Sequence, residues 1–340
     1  MSSVPAQGDP RPDRPVPTEP TALRVLVTGS TGYVGSRLVP ELLDAGHTVL
    51  AATRHESSLG DYPWGDRVEA RTFDVEDDDV VRAAVRGVDA VIYLVHSMES
   101  DDFVAKDRAA AERMAAACAE AGVERIVYLS GLVPDGDLSD HLRSRLEVEQ
   151  VFLDAPVPAT VLRAAMVVGS GSTSYELLRR LSERVPLVTP VPSWMCRKIQ
   201  PVAVEDVVHL VGRALLGEPR NRHYDIGGDE VVTYPELLAR YAEVAGLRRV
   251  RFPVPFVPRW VVGRACALIS GMDRPTVTSL VESLSHDMVC GEDAVRRDVL
   301  EPGYTFTGLT EALERSRADR AQPGTSQSGD VQAAAGTDPD

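Results

Sequence analysis

Lysine is nearly absent from this 340-residue chain: of 36 basic residues only Lys106 and Lys198 are lysines, which leaves almost no side chain to act as a catalytic amine. Cysteine is scarce too. Cys118, Cys196, Cys266 and Cys290 are scattered without CxxC spacing, so no disulfide framework is expected and a reducing cytoplasm is the expected compartment. The seven histidines form no HExxH run or His/Cys cluster, no GxSxG elbow is present, and no metal is expected. Long hydrophobic runs are missing as well. The most apolar stretch, FVPRWVVGRACALIS from Phe256, is broken by Pro258, Arg259 and Arg264 and is too short to span a bilayer, and the N-terminus lacks the apolar segment of a signal peptide. Positive charge is in deficit: the formal net charge is −15, a balance that repels phosphate backbones and anionic lipid, so nucleic acid and membranes are not expected partners.

What is present suits a globular protein. Hydrophobic residues make up 44% and charged residues 26%, enough to bury a sizeable core. The proline-rich leader, residues 1–22, and the small-residue trailer, 317–340, have too few apolar side chains to offset the entropy of ordering, and both are expected to be disordered.

Between them, strand and helix patterns alternate. RVLVTG at 24–29 is a short β-rich run, YVGSRLVPELLDAG follows with Leu38, Leu42 and Leu43 at helical spacing, and HTVLAATR returns to strand character. Pro40 lies inside the predicted helix and should bend it or cost it a hydrogen bond. Further strands are predicted at 67–75, 89–97, 125–132 and 159–169, with helices near 78–86, 103–121 and 140–153. Nearly continuous apolar strands separated by helices predict an α/β fold, a doubly wound parallel sheet of Rossmann type over residues 23–169 with 199–228 returning to it. Residues 170–198 and 229–316, including a helical stretch from about 258 to 288, are expected to form a smaller C-terminal substrate lobe.

VLVTGSTGYVG, from Val25 to Gly35, places three glycines between the first strand and the first helix, where the chain must turn tightly and let a pyrophosphate approach its backbone. Thr28, Gly29, Thr31, Gly32, Tyr33, Val34 and Gly35 are the expected cradle, with the helix N-terminus donating N–H groups and partial positive charge. At the end of the second strand stand Arg54 and, two residues on, Glu56. A cation there suits a 2′-phosphate and a carboxylate suits ribose hydroxyls, so Arg54 favours NADP while NAD stays open.

With TGSTGYVG at 28–35, Asp74-Val75 ending the third strand, YLVHSM at 93–98, YLSGL at 128–132 and LRAAMVVGSG at 162–171, the chain resembles the short-chain dehydrogenase/reductase superfamily. It looks like the atypical, extended NAD(P)H-binding members, near the NmrA-like group and the accessory subunit of respiratory complex I. The resemblance implies that Asp74 and Val75 contact adenine, that Val95, His96 and Ser97 line the dinucleotide, and that Ser130 stands where the family's catalytic serine does. Most active members also carry a tyrosine followed four residues later by lysine, the pair that passes a proton to a carbonyl. No tyrosine here has lysine four positions on. At the corresponding place, on the helix after the fifth strand, stand His141 and Arg145, an i, i+4 pair on one helix face. Imidazole can donate a proton near neutral pH and guanidinium can hold a ribose or a substrate anion, but a neighbouring Arg⁺ depresses the pKa of histidine. Arg145 and Glu149 are themselves spaced as an i, i+4 ion pair, which would make the same face a solvated surface. Tyr175 is a further candidate donor.

The expected activity is an NAD(P)H-dependent reduction of a small carbonyl, enone or quinone-like substrate, with Ser130, His141 and Arg145 at the reacting centre. A non-catalytic NAD(P)-binding sensor or assembly factor acting through a partner protein is the alternative, because the tyrosine and lysine are missing.

Overall fold

The computed structural model describes residues 22–95, 102–134, 136, 138–185, 188–254, 257–318 and 331–332. Its first half alternates strand and helix except between the second and third strands: β1 (Arg24–Thr28), α1 (Tyr33–Asp44), β2 (Thr48–Thr53), β3 (Glu69–Thr72), α2 (Asp78–Ala84), β4 (Ala90–Tyr93), α3 (Phe103–Ala121), β5 (Arg125–Gly131), α4 (Asp140–Asp154) and β6 (Ala159–Ala164). The second half contributes β7 (Val167–Val168), α5 (Thr173–Arg184), β8 (Val188–Pro192), β9 (Lys198–Ile199), β10 (Val202–Ala203), α6 (Val204–Arg213) and β11 (Arg222–Ile226). It closes with β12 (Val232–Thr233), α7 (Tyr234–Val244), β13 (Val250–Val254), α8 (Arg259–Ser270), α9 (Arg274–Ser283), α10 (Ala294–Asp298) and α11 (Leu309–Ala318).

Seven strands form one parallel sheet in the order β11-β6-β5-β4-β1-β2-β3. Side chains alternate across it. Val25 and Val27 face a core with Leu38, Leu42, Val207 and Val211, whereas Leu26 faces Val91, Met114 and Phe152 on the other side. Every residue from Val25 to Val27 is fully buried. Such strands need cover on both faces, which the helices provide; truncating one of these side chains to Ala costs about 2–5 kcal/mol. The order reverses between β1 and β4, and the crevice at their carboxyl ends is where doubly wound sheets bind ligands.

Pro40 sits inside α1, which continues through it. Proline lacks the N–H that would bond the Ser36 carbonyl four residues back, and that carbonyl instead accepts from the Trp64 indole N–H at 3.0 Å. The lost bond is replaced from outside the helix, so the helix does not break.

Several sequence boundaries need correction. The third strand stops at Thr72, so Asp74 and Val75 lie in the turn beyond it. The single strand expected at 159–169 is two: β7 leaves the main sheet to pair with β10. The helical stretch expected from 258 to 288 is broken between α8 and α9 at Gly271, whose φ of +66° ends a helix. The trailer expected to be structureless is seated at its described part: the Gln332 side chain is fully buried and donates to the Val168 carbonyl at 2.7 Å and to Ser316 Oγ at 2.9 Å. Arg37 of α1 also holds the Val331 carbonyl at 3.0 Å.

Candidate active site

The loop from β1 to α1 is built around close backbone approach. Gly29 has φ +69°, and a Cβ on Gly35 would lie 2.1 Å from the Gly29 carbonyl oxygen, so only glycine lets the helix start this near the strand. Gly32 N–H donates back to the Gly29 carbonyl at 2.9 Å, and no side chain caps Gly32. The first-turn N–H groups of α1 have no intrahelical acceptor, which makes this end a site for an anion. Backbone cradle, a loop open at Gly32 and an uncapped helix end fit a dinucleotide diphosphate.

Around it, the other expected cofactor residues divide by role. The Thr28 side chain donates to the Ile92 carbonyl at 3.2 Å and accepts from Leu94 N–H at 3.1 Å, tying β1 to β4. The Thr31 carbonyl accepts from the Tyr62 hydroxyl at 2.7 Å. The hydroxyl end of Tyr33 points at Gly169, where any Cβ would collide with it. Val34 packs on the core beneath α1, and Val75 and Val95 pack on the opposite core. Asp74 is exposed, and its carboxylate accepts from Glu76 N–H at 3.0 Å. Arg54 is exposed and makes no ion pair among the described residues, whereas Glu56 accepts from Thr72 Oγ1 at 2.7 Å. His96 and Ser97 lie outside the described residues.

At the carboxyl end of β5, Ser130 Oγ is buried and makes no well-formed hydrogen bond among the described residues, though the Tyr128 phenol is near enough to interact with it. A buried hydroxyl left this way costs about 1–3 kcal/mol unless something else occupies it. The N-terminus of α4 packs against the same strand end: a Cβ on Gly131 would touch Leu142 and the Arg145 side chain at 3.6 and 3.8 Å. Ser139 caps α4 by accepting from Leu142 N–H at 3.4 Å. His141 is half-buried in the first turn, and burial, then the Arg145 guanidinium, push its imidazole down to about 4. At neutral pH it is therefore uncharged, with about one molecule in a thousand protonated.

The ion pair expected between Arg145 and Glu149 does not form. Glu149 is 1% exposed and turns to the sheet, where it accepts from Arg163 Nε at 2.9 and 3.1 Å. Arg145 instead faces Tyr128, a residue the sequence did not single out. Burial raises the pKa of that phenol, and interactions with Arg145 and Ser130 lower it. The signal was there in principle, since Tyr128 and Ser130 are two apart on one strand and share a face. Tyr175 is fully buried, its ring 6.1 Å from that of Tyr241.

His141 also lines a cavity of about 530 Å³ that opens between α4, the start of α3 and α9, with Phe103, Asp140, Arg274, Thr276 and Glu282 among its walls. Nothing in the sequence marked α9 as a wall of the site. Among the described residues no group of His, Cys, Asp or Glu could hold a metal, and no helix is long and apolar enough to cross a membrane.

Comparison with known proteins follows the same geometry. A family model described as NAD(P)H-binding matches residues 29–181. A (4-alkanoyl-5-oxo-2,5-dihydrofuran-3-yl)methyl phosphate reductase from Streptomyces griseus is 32% identical over 237 residues, covering 67% of this chain and 76% of that protein. A 2-alkyl-3-oxoalkanoate reductase from Stenotrophomonas maltophilia is 25% identical over 342 residues, covering 88% of this chain and all of that one. Triphenylmethane reductase from Citrobacter, solved with NADP(H), shares the fold with a TM-score of 0.69 at 18% identity, covering 86% of this chain and 99% of that chain.

Proposed function

Because the chain belongs to the atypical short-chain dehydrogenase/reductase superfamily of NAD(P)H-binding proteins, we propose that it is an NADPH-dependent reductase of an enone or quinone-like carbonyl compound. The observation that carries this reading is the buried Ser130 hydroxyl, which makes no well-formed hydrogen bond among the described residues, beside Arg145 and an uncharged His141 that lines a cavity. The bound coenzyme supplies a hydride. Ser130 Oγ–H donates to the substrate oxygen, and the Arg145 charge, in a partly dry site, favours the negative charge that develops there. His141 orients the substrate as a neutral hydrogen-bonding group and keeps its proton, and water provides the proton that completes the reduction. Such a site suits substrates whose reduced form is a stabilised anion. The two relatives, named as reductases of an oxo-dihydrofuran and of a 3-oxoalkanoate, support delivery of hydride to an oxo compound. The preference for NADPH rests on the exposed Arg54, which makes no ion pair among the described residues, and on Thr72 engaging Glu56. All four cysteines are free thiols, which supports work in a reducing cytoplasm.

The test is loss of NADPH absorbance with a naphthoquinone, a cyclic enone and a simple ketone. Turnover of the first two is expected, with kcat/KM lowered about a hundredfold by Ser130→Ala. A protein that binds NADPH tightly and oxidises it with none of the three is a redox-sensing binder instead, the reading that the missing acid favours.

A further inference from the structure

The second lobe carries a helix whose amphipathicity is inverted. In α8 the small residues Gly263, Cys266, Ala267 and Ser270 turn inward, and Gly263 approaches Thr278 of α9 so closely that a Cβ there would stand 3.4 Å from its hydroxyl. Of the large apolar residues Val262 packs on the core beneath α8, and the others turn outward. Trp260 is 60% exposed and Leu268 85%, and Val261, Ala265 and Ile269 lie on the same open face. A helix on a water-soluble surface normally does the reverse. Phe252 and Val250, on the β13 strand that feeds α8, are 60% and 68% exposed.

Charge sets this region apart a second time. Residues 244–272 contain five arginines and no aspartate or glutamate, in a chain whose net charge is −15. Arg248, Arg259 and Arg264 are exposed, and the Arg264 guanidinium lies 5.1 Å from the centre of the Trp260 ring on the outward face. Indole, arginine and branched aliphatic side chains along one face of a short helix match the layered chemistry of a lipid headgroup region, where apolar groups enter the acyl boundary and guanidinium groups meet phosphate. We propose that α8, with β13, is a docking face for an anionic phospholipid bilayer. The protein sits on the surface peripherally and its acidic remainder points away. The net charge describes the body, while the docking face has the opposite sign, so the repulsion expected of the whole chain does not extend to it. Since α9 packs on α8 and also walls the cavity, docking brings the cavity near the bilayer.

Co-sedimentation of the full chain with vesicles tests the proposal. Binding is expected to vesicles of equal phosphatidylcholine and phosphatidylglycerol, to be absent from pure phosphatidylcholine, and to weaken with added salt. Arg259→Glu with Arg264→Glu should lower the partition coefficient by about thirtyfold or more. Trp260→Ser with Leu268→Gln should lower it at least as much with the melting temperature unchanged, because both side chains are exposed. Equal binding to neutral and anionic vesicles, no binding to either, or wild-type binding by both double variants overturns the proposal. So does a wild-type dimer in light scattering that Trp260→Ser with Leu268→Gln converts to monomer, which would place a second copy of the chain on this face. None of these readouts depends on turnover.

Discussion

Replacing His141 by glutamine isolates the one titration on which the proposed chemistry turns. In the folded chain the imidazole titrates at about 4, against an ordinary 6.5. The fold favours the neutral ring, so its contribution is intact above the unfolded pKa. It is lost as pH falls from about 6.5 towards 4, where the unfolded chain takes up a proton and the folded chain does not, and it levels off below that. A shift of this size corresponds to about 3 kcal/mol over the whole window, most of it lost by pH 4.5. Glutamine does not titrate. Urea unfolding of both proteins at pH 7.0 and 4.5 should therefore show the stability of wild type relative to His141→Gln falling by about 2–3 kcal/mol between the two conditions. Carboxylates cancel in the difference, and so does His47, whose pKa burial also lowers. A relative stability that is the same at both pH values refutes the reasoning: His141 would then hold an ordinary pKa, be available as an acid near neutrality, and leave no reason to draw the proton from water.

Two further substitutions test the framework around it. Gly35→Ala puts a methyl 2.1 Å from the Gly29 carbonyl and 2.8 Å from Ser30 Cα, both backbone atoms that cannot swing aside, so calorimetry should show NADPH affinity reduced by about two orders of magnitude; unchanged affinity removes the cradle. Glu149→Ala leaves Arg163, whose side chain is 16% exposed, with only the distant Asp225 at 3.9 Å, and stability should fall by about 3–5 kcal/mol. A melting temperature lowered by less than about two degrees would show that Arg163 finds water instead.

The parts of the molecule that the sequence disclosed are those whose cause is local. A run such as Val25 to Val27 is apolar at consecutive positions because both faces of the strand are covered, and glycines at 29 and 35 mark backbone contact that other residues forbid. The start of α4 was readable from Ser139 for the same reason. What escaped depends on partners distant in the chain. Spacing on the helix suggested Arg145 for Glu149, but the carboxylate pairs with Arg163, which arrives only when β6 joins the sheet. Gln332 is polar and sits in a polar trailer, yet it finds Val168 and Ser316 from 164 and 16 residues away. The cavity wall at Arg274 and Thr276 belongs to a helix with no chemical motif, placed there by its packing on α8. Pairings of this kind leave no periodic trace in a single sequence.

The exchange of tyrosine and lysine for His141 and Arg145 has an electrostatic consequence that can be reversed. Burial first, and the repulsion of a neighbouring guanidinium second, disfavour the protonated imidazole and so remove the acid, which holds His141 down to about 4. Beside a phenol the same guanidinium does the opposite: it favours the phenolate, lowers the pKa and makes the neutral ring a readier proton donor. Arg145 therefore adds to the suppression of the donor that is present and would promote the one that is absent. His141→Tyr should gain reduction of simple ketones, whose product alkoxide needs a proton as it forms, by about tenfold or more in kcat. Reduction of quinones and enones, whose reduced anions survive until water protonates them, should gain little. The adjoining cavity of about 530 Å³ has space for the larger ring. Adding Arg145→Ala to His141→Tyr should cancel the gain. If the tyrosine variant folds, binds NADPH as wild type does and reduces no ketone faster, the missing donor is not what limits this site, and the substrate preference must come from the walls of the cavity.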